Sequence, residues 1–197
     1  MEIVTKRFLL RDFIEGDFPA FAAYHADPRS LEFYGAEEAK PGHARELLDL
    51  FETWAGEQPR RNYQLAIIQR NESQLLVGCC GLRSVDPEAG KAELGIELAP
   101  QYWGRYRYAI EVMWALVEFG FGSLELKEIC GGTVSVNSRI ARLASSFGAV
   151  AVTRPTPAWM VAKGWSQVEW RVTREQWESG HLTHALRPTV KHFKSPP

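Results

Sequence analysis

The sequence predicts a single α+β domain, in which a mostly antiparallel sheet of about seven strands is flanked by about four helices. First, a chain of 197 residues with 45% hydrophobic content is long enough for one well-buried domain and short for two. Second, short segments of alternating apolar and polar residues, separated by turn residues, are typical of consecutive antiparallel strands. Third, an apolar segment at 108–121 follows a strand and a glycine-containing turn, as a buried helix would.

The first part of the chain is predicted to contain one strand and two helices. Residues 3–12 alternate weakly and predict the first strand. Asp17 is placed to cap a helix that continues through Tyr24 until Asp27-Pro28 ends it. A second helix ends at Gly56 and has amphipathic spacing at Leu47, Leu48, Leu50, Phe51 and Trp54.

The next three strands are predicted to be sequential and antiparallel. Segments 63–69 and 74–82 form a hairpin around 71–73, and a turn at 86–90 leads into the third strand. This strand places Leu94, Ile96 and Leu98 on one face and Glu93, Gly95 and Glu97 on the other. Pro100 ends it.

The central helix follows at 108–121 and is predicted to be buried nearly all round. Glu111 and Glu118 are its only charged residues and lie on one stripe, seven positions apart. The preceding turn contains Arg105 and Arg107, although the N–H groups at a helix N-terminus favour anions. Two interpretations fit: the arginines bind an anionic ligand such as phosphate, or both point into water.

The C-terminal part is predicted to contain three strands and one helix. Residues 128–134 predict a strand, and Asn137 or Ser138 is placed to cap a helix that ends at Gly148. That helix has an apolar stripe formed by Ile140, Leu143, Ala144 and Phe147. Segments 149–153 and 165–172 predict the last two strands, with an irregular stretch at 155–157 between them.

The run AELGIELAPQYWGRYRYAIEV, residues 92–112, resembles the acyl-CoA-binding segment of the GNAT superfamily of N-acetyltransferases. The branch it resembles includes the ribosomal-protein N-terminal (alanine/serine) acetyltransferases. The resemblance extends from residue 5 to about 177. The matching positions in this segment are Glu93, Gly95, Leu98, Pro100, Tyr102, Trp103, Gly104, Tyr108, Ala109 and Glu111. It implies a mixed sheet with helices on both sides, and transfer of an acetyl group from acetyl-CoA to a primary amine.

The resemblance also implies which residues bind the coenzyme. They are Leu98, Trp103, Gly104, Arg105, Tyr106, Arg107, Tyr108, Ala109 and Asn137. The chain departs from the family at Tyr106-Arg107, where its turn is one residue longer and lacks a glycine. Asn137 matches the family residue that touches the pantetheine arm, but a helix cap would account for it without any ligand.

Glu93 and Glu97 are the candidate catalytic residues. Two carboxylates on one face of the central strand could take the proton of an ammonium ion, directly or through water. The competing interpretation is that this face is wet, or that Lys91 and arginines neutralise it. Glu93 is the first choice because it also occupies the matching family position. A backbone N–H near Leu98 is expected to stabilise the oxyanion.

The acceptor site is expected to include Glu32, Tyr34 and Trp170. In the family, the segment between the first two helices borders the acceptor pocket, and its acidity here suits a cationic amine; a solvated loop of charges is the alternative. The usual general acids of the family are replaced by Ala144 and Ile140, which leaves Tyr108 and Ser138 as candidates. A thiol with a pKa of about 8.5 is a tolerable leaving group unaided.

Composition limits the remaining possibilities. A net charge of −1 gives no reason to expect a nucleic-acid partner. The sequence shows no membrane-spanning run or signal peptide, so a cytoplasmic protein without a membrane partner is expected. A monomer or homodimer is expected. Cys79, Cys80 and Cys130 lack metal-ligand spacing and are predicted core residues, and no metal site is predicted. The domain is predicted to span 1–177, followed by a loosely ordered tail at 178–197.

Two other functions fit the sequence. The longer turn and the replaced general acid are compatible with a GNAT-like domain that binds CoA or a partner without turnover. A globular α/β domain without a coenzyme would leave Arg105 and Arg107 unexplained.

Overall fold

The computed structural model describes residues 1–104 and 107–179, together with the backbone of 192–194. Strands in these residues build one sheet, and only one neighbouring pair of strands in it is parallel. The strands are β1 (Glu2–Val4), β2 (Phe8–Asp12), β3 (Asn62–Gln69), β4 (Leu76–Asp86), β5 (Lys91–Leu98), β6 (Glu128–Val134), β7 (Val150–Arg154), β8 (Gln167–Thr173) and β9 (His192–Lys194). Their order across the sheet is β7-β8-β6-β5-β4-β3-β2-β1-β9.

Helices cover both faces of this sheet. They are α1 (Phe18–His25), α2 (His43–Ala55), α3 (Tyr108–Gly122), α4 (Ser138–Ser146), α5 (Ala158–Ala162) and α6 (Arg174–Ser179). The predicted α+β class and the mixed, mostly antiparallel sheet are therefore confirmed. The predicted tail at 178–197 lies mostly outside the described residues; within it, β9 pairs with β1.

The two faces of the sheet carry separate apolar cores. On one face α3 packs through residues such as Val112 and Leu116 against Leu10, Leu65 and Leu82 of the strands. On the other face α1 and α2 pack against the sheet through Phe21, Leu48 and Phe51. Cys79 belongs to this second core, Cys80 to the first, and all three cysteines are buried thiols, as predicted.

The prediction of one strand over 3–12 was wrong, because the segment is a hairpin of β1 and β2. Its turn closes where the Thr5 N–H donates to the carbonyl of Phe8 at 2.9 Å, and the Phe8 N–H donates to the Thr5 hydroxyl at 3.0 Å. The Thr5 hydroxyl also donates to Glu111 of α3 at 2.7 Å. A partner 106 positions away thus fixes a turn that local alternation could not reveal.

The predicted cap at Asp17 is correct in position but not in role. Its carboxylate makes no cap hydrogen bond to α1. Instead it accepts hydrogen bonds from both terminal nitrogens of Arg11, at 2.7 and 2.8 Å, and from the Ile14 N–H at 3.0 Å. Asp17 therefore joins β2 to the start of α1.

Two short helices were not predicted. Helix α5 follows Pro157, between the stretch expected to be irregular at 155–157 and the strand expected from 165. Helix α6 begins with a capping box, in which the Thr173 hydroxyl accepts the Gln176 N–H at 3.2 Å and the Gln176 side chain accepts the Thr173 N–H at 2.8 Å. The Thr-x-x-Gln spacing was a visible signal for this helix start.

Candidate active site

The sheet opens between its two parallel strands. Strands β5 and β6 are paired only at Lys91↔Glu128, Ala92↔Ile129 and Glu93↔Cys130, although β5 continues to Leu98 and β6 to Val134. Beyond these pairs the strands part, and a cavity of about 900 Å³ lies between them. Strand β5 stays paired with β4 up to Leu98, so the edge that faces the cavity keeps backbone groups without a strand partner among the described residues.

Register assigns the side chains of β5 to two sides of this opening. Glu93 and Glu97 share the face of the sheet that carries α1 and α2, since Cys79, the cross-strand partner of Glu97, packs in that core. Trp170 pairs with Gly131 and lies on the opposite face, toward α3. Trp170 lines the cavity from the side away from the two carboxylates, and its contact with an acceptor stays a prediction.

Glu97 is the centre of a polar cluster at the α1/α2 side of the cavity. The Tyr34 hydroxyl donates a short hydrogen bond to Glu97 Oε1. His25 Nε2 lies 3.5 Å and Cys79 Sγ 3.9 Å from Oε2. Burial, the charge of Glu97 and its hydrogen bond raise the pKa of Tyr34 well above the ordinary value, so this hydroxyl remains a donor.

Glu93 stands at the point where the strands part and has a different environment. Arg83 of β4 is its cross-strand partner, and a guanidinium nitrogen lies 3.5 Å from Glu93 Oε2. Lys91, the neutralising residue considered from sequence, pairs instead with Glu128 at 2.8 Å. Arg83 therefore offsets the charge of Glu93, while the described residues place no lysine or arginine in ion-pair contact with Glu97.

The loop between α1 and α2 is held across the cavity by two cations. Arg139 of α4 donates to Glu32 at 2.6 Å and lies over the rings of Phe33 and Trp103, at 5.1 and 4.1 Å. Lys163, just after α5, donates to the carbonyl of Tyr34 at 3.2 Å. Tyr34 thus lines the cavity, whereas Glu32 pairs with Arg139, and a contact of either residue with the acceptor stays a prediction.

The turn before α3 is described except for Arg105 and Tyr106, which lie outside the described residues. Trp103 folds back so that its indole N–H donates to the carbonyl of Leu98 at 2.6 Å. Gly104 has φ = 66°, a conformation that glycine adopts without strain. Arg107 is exposed and takes the same left-handed region at φ = 59°, where the family pattern has a glycine nearby.

The remaining predicted coenzyme residues divide between two cavities. Ala109 and Asn137 line the large one, together with Leu98, Trp103 and Gly104. Arg107 and Tyr108 line a smaller cavity of about 190 Å³ beside it. Tyr108 is buried, with its ring 4.8 Å from that of Phe8 and its hydroxyl accepting from Gln69 at 3.4 Å. Neither Tyr108 nor Ser138, the two candidate general acids, lines the large cavity.

Asn137 caps α4. Its side-chain oxygen accepts the Ile140 N–H at 3.2 Å, and its amide nitrogen donates to the Thr133 hydroxyl at 3.2 Å. Both ends of this amide are therefore engaged within the protein, which is the interpretation that needed no ligand. A coenzyme contact of Asn137 stays a prediction.

Sequence reasoning missed His25, Arg83 and Arg139. His25 had a visible signal, because it lies four residues after Phe21 on the buried stripe of α1, and the two rings pack at a tilt of 54° with centroids 4.3 Å apart. Arg83 faces Glu93 in the register that the predicted hairpin and turn imply. Arg139 had no local signal, since its partners come from two distant loops.

The comparison with known proteins identifies the class. The sequence model of the family described as "Acetyltransferase (GNAT) domain" matches residues 7–150. The chain belongs to this family, and the resemblance inferred from the segment at 92–112 is confirmed. Like its named relatives it is an N-acetyltransferase, and enzymes of this family use acetyl-CoA and transfer acyl groups to amines.

Individual relatives agree with this assignment. The uncharacterized N-acetyltransferase YoaA of Bacillus subtilis is 27% identical over 145 residues, which cover 73% of this chain and 80% of that protein. A GNAT-family acetyltransferase structure from Bacillus anthracis superposes with a TM-score of 0.71 at 19% identity, covering 89% and 99% of the two chains. A Vibrio cholerae protein proposed to be a ribosomal-protein-serine acetyltransferase gives a TM-score of 0.65 at 19% identity, covering 88% and 97%. None of the helices in the described residues has the length and apolar character needed to cross a membrane.

Proposed function

We propose that this protein transfers the acetyl group of acetyl-CoA to a primary amine by direct attack of the amine on the thioester, in the cavity between β5 and β6. The observation that carries the proposal is the parting of these strands after Glu93 and Cys130. The opening joins a face with two carboxylates to a turn at the N-terminus of α3. An amine and a thioester could therefore meet in it from opposite sides of the sheet.

The unpaired edge of β5 supports the position of the coenzyme. Pantetheine carries amide groups, and the backbone from Leu94 to Leu98 offers donors and acceptors along that edge, apart from the Leu98 carbonyl, which accepts from the Trp103 indole. The diphosphate would lie against the turn that contains Trp103, Gly104, Arg105, Tyr106 and Arg107, where the N–H groups of α3 and two guanidinium groups favour an anion. Tyr108, Ala109 and Asn137 would complete this side of the site.

Glu97 is the carboxylate best placed to receive the acceptor ammonium. Tyr34 fixes its orientation, and no lysine or arginine of the described residues is in ion-pair contact with it. Glu93, next to Arg83, lies at the closed end of the opening, where its carboxylate could orient the amine. The structure therefore favours Glu97 over Glu93 as the proton acceptor, although sequence reasoning placed Glu93 first.

The chemistry needs few groups. The ammonium loses one proton to the carboxylate, and the lone pair of the amine attacks the carbonyl carbon of the thioester. The tetrahedral oxyanion would be stabilised by a backbone N–H near Leu98. When the C–S bond breaks, sulfur leaves as a thiolate and takes the second proton from nitrogen, giving the amide and free CoA.

Two measurements test the proposal. Acetyl-CoA at about a hundred times its dissociation constant should raise the free energy of unfolding by about 2.7 kcal/mol, or the melting temperature by about 5–11 °C. A panel of peptide N-termini, amino sugars and polyamines, with detection of released thiol, should identify acceptors. Of two matched variants, Glu97→Gln should lose more turnover than Glu93→Gln while keeping the thermal shift. An absent thermal shift, or equal turnover in both variants and the wild type, would contradict it.

A further inference from the structure

A largely buried imidazole, that of His25, lies next to the carboxylate of Glu97. His25 is the last residue of α1, its side chain is only 12% exposed, and its Nε2 atom is buried without a hydrogen-bond partner among the described residues. Glu97 Oε2 lies 3.5 Å from this nitrogen. A polar atom that is buried without a hydrogen bond costs free energy of folding, so its position beside the carboxylate needs an explanation.

The surroundings of His25 favour the neutral imidazole. Phe21 and Tyr24 pack against its ring, with centroids 4.3 and 4.6 Å away. Burial lowers the pKa of His25, the charge of Glu97 opposes this, and His43 of α2 lowers it further. A neutral imidazole close to a carboxyl group is able to accept a proton from the carboxylic acid.

The other titratable groups of the cluster cannot take that role. Cys79 of β4 and the phenols of Tyr24 and Tyr34 all have pKa values raised above their ordinary ranges, chiefly by burial. They stay protonated near neutral pH and cannot accept a proton. His43, 6.5 Å from His25 between ring centroids, is the second imidazole of this cluster and has no ion-pair contact with Glu97 in the described residues.

We propose that His25 is a positioning residue that acts through Glu97, accepting at Nε2 the proton that Glu97 takes from the acceptor ammonium. This inference rests on the function proposed above. The acceptor gives one proton to the carboxylate, the carboxylic acid passes it to Nε2, and an imidazolium–carboxylate pair remains while the free amine attacks. After product leaves, the imidazolium releases the proton to solvent, and the neutral ring is restored.

The arrangement predicts a specific dependence on pH. When His25 is protonated before substrate binds, it already pairs with Glu97 and can accept no further proton. In the wild type kcat/KM should therefore fall in acid, at a pH below the ordinary imidazole value of about 6.5, because burial lowers the pKa of His25. The amine's own titration affects the alkaline side of the profile and leaves this acidic limb unchanged.

The first test compares His25→Gln with the matched control His43→Gln, over about pH 5 to about pH 9. His25→Gln should lower kcat at least about tenfold at neutral pH with a smaller change in KM, and should lose the acidic limb. His43→Gln should keep that limb, moved toward higher pH because His43 no longer lowers the pKa of His25. A His25→Gln profile with an unchanged acidic limb would overturn the proposal, because a merely structural role would lower activity without changing the shape of the profile.

The second test does not depend on turnover. The imidazole of His25 is titrated by NMR in the wild type and in Glu97→Gln. If the two side chains are coupled as proposed, removing the negative charge should lower the pKa of His25 further; an unchanged titration refutes the coupling, even if His25→Gln fails to fold. Absence of thiol release with every amine would refute the proposed function instead, and the NMR titration would still decide the pairing.

Discussion

Replacing Glu111 is expected to cause one of the largest losses of stability in this protein. Its carboxylate is 5% exposed and accepts three hydrogen bonds, from the Thr5 hydroxyl at 2.7 Å, the Arg7 N–H at 2.7 Å and the Arg7 guanidinium at 2.6 Å. These bonds tie the turn between β1 and β2 to the first turn of α3. Arg7 also lies over the ring of Tyr108, 4.7 Å from its centroid, so the same contact supports the helix start.

The magnitude follows from the burial of the partners. Glu111→Ala removes the carboxylate that accepts from the Arg7 N–H and the Arg7 guanidinium, and it leaves the Thr5 hydroxyl with only the Phe8 carbonyl, at 3.2 Å, as an acceptor. Breaking a fully buried ion pair from one side costs about 3–5 kcal/mol, but the Arg7 side chain is 34% exposed, so water screens the charge left behind and a loss of about 2–3 kcal/mol is expected. For a chain of this size that corresponds to a decrease of about 4–12 °C in melting temperature. Glu111→Gln keeps the shape but places a donor against Arg7, so it should also be destabilised.

The assay is urea denaturation followed by tryptophan fluorescence, with Glu118→Gln as the control. Glu118 lies on the same helix and is exposed, so its replacement should change the free energy of unfolding by no more than about 0.5 kcal/mol. A loss below about 1 kcal/mol for Glu111→Ala would show that the three bonds contribute little net stability, and the reasoning would fail.

Four further outcomes are expected. Gly78→Ala would place a Cβ 2.0 Å from the backbone oxygen of Glu97, so it should lower both the melting temperature and turnover, whereas Gly122→Ala, with no atom within 4 Å of the new Cβ, should be tolerated. The double variant Arg105→Gln, Arg107→Gln should bind CoA roughly tenfold to a hundredfold more weakly in calorimetry. Its CoA affinity should depend less on salt than that of the wild type, and its apo fold should be undamaged. Unchanged affinity would mean that backbone groups alone bind the phosphates. Arg139→Gln should raise the KM for acetyl-CoA or acceptor at nearly constant melting temperature, and identical kinetics would mean that its contacts do not hold the acceptor loop. Because burial lowers the pKa of His25 below 6.5, the unfolded chain binds a proton that the folded chain does not; stability should therefore decrease as pH falls below 6.5, and the decrease in urea midpoint should be smaller in His25→Gln.

Contacts between neighbours in the sequence made much of the fold predictable. The turn at 86–90 and the hairpin before it join β3, β4 and β5, whose pairing needs only short connections. The apolar stripe of α4 and its cap at Asn137 likewise depend on residues within one helix. In contrast, β1 and β2 were merged into one strand, because the turn between them is fixed by Glu111.

The helix α3 shows the same limit within a single element. Glu111 and Glu118 are seven positions apart and so share one stripe, and periodicity gives them the same environment. In the structure Glu111 is buried and Glu118 is exposed, because the turn at Thr5–Arg7 covers only the first part of the helix. Periodicity specifies direction around a helix axis, and burial also depends on which distant segment lies over each turn.

In the candidate site too, the parts formed by neighbouring residues could be predicted from the sequence, and the contacts between distant segments could not. Glu93 and Glu97 could be found from alternation along β5, and the turn before α3 from its charges at a helix N-terminus. The residues that connect these parts come from elsewhere: Arg139 touches Trp103 of the turn and Phe33 of the acceptor loop at once. A coenzyme bound at the turn would therefore meet a side chain that also holds the loop bearing Tyr34, the residue that orients Glu97. Arg139 of α4 thus connects the turn predicted to bind the coenzyme with the loop predicted to border the acceptor, and binding at one is expected to alter the other.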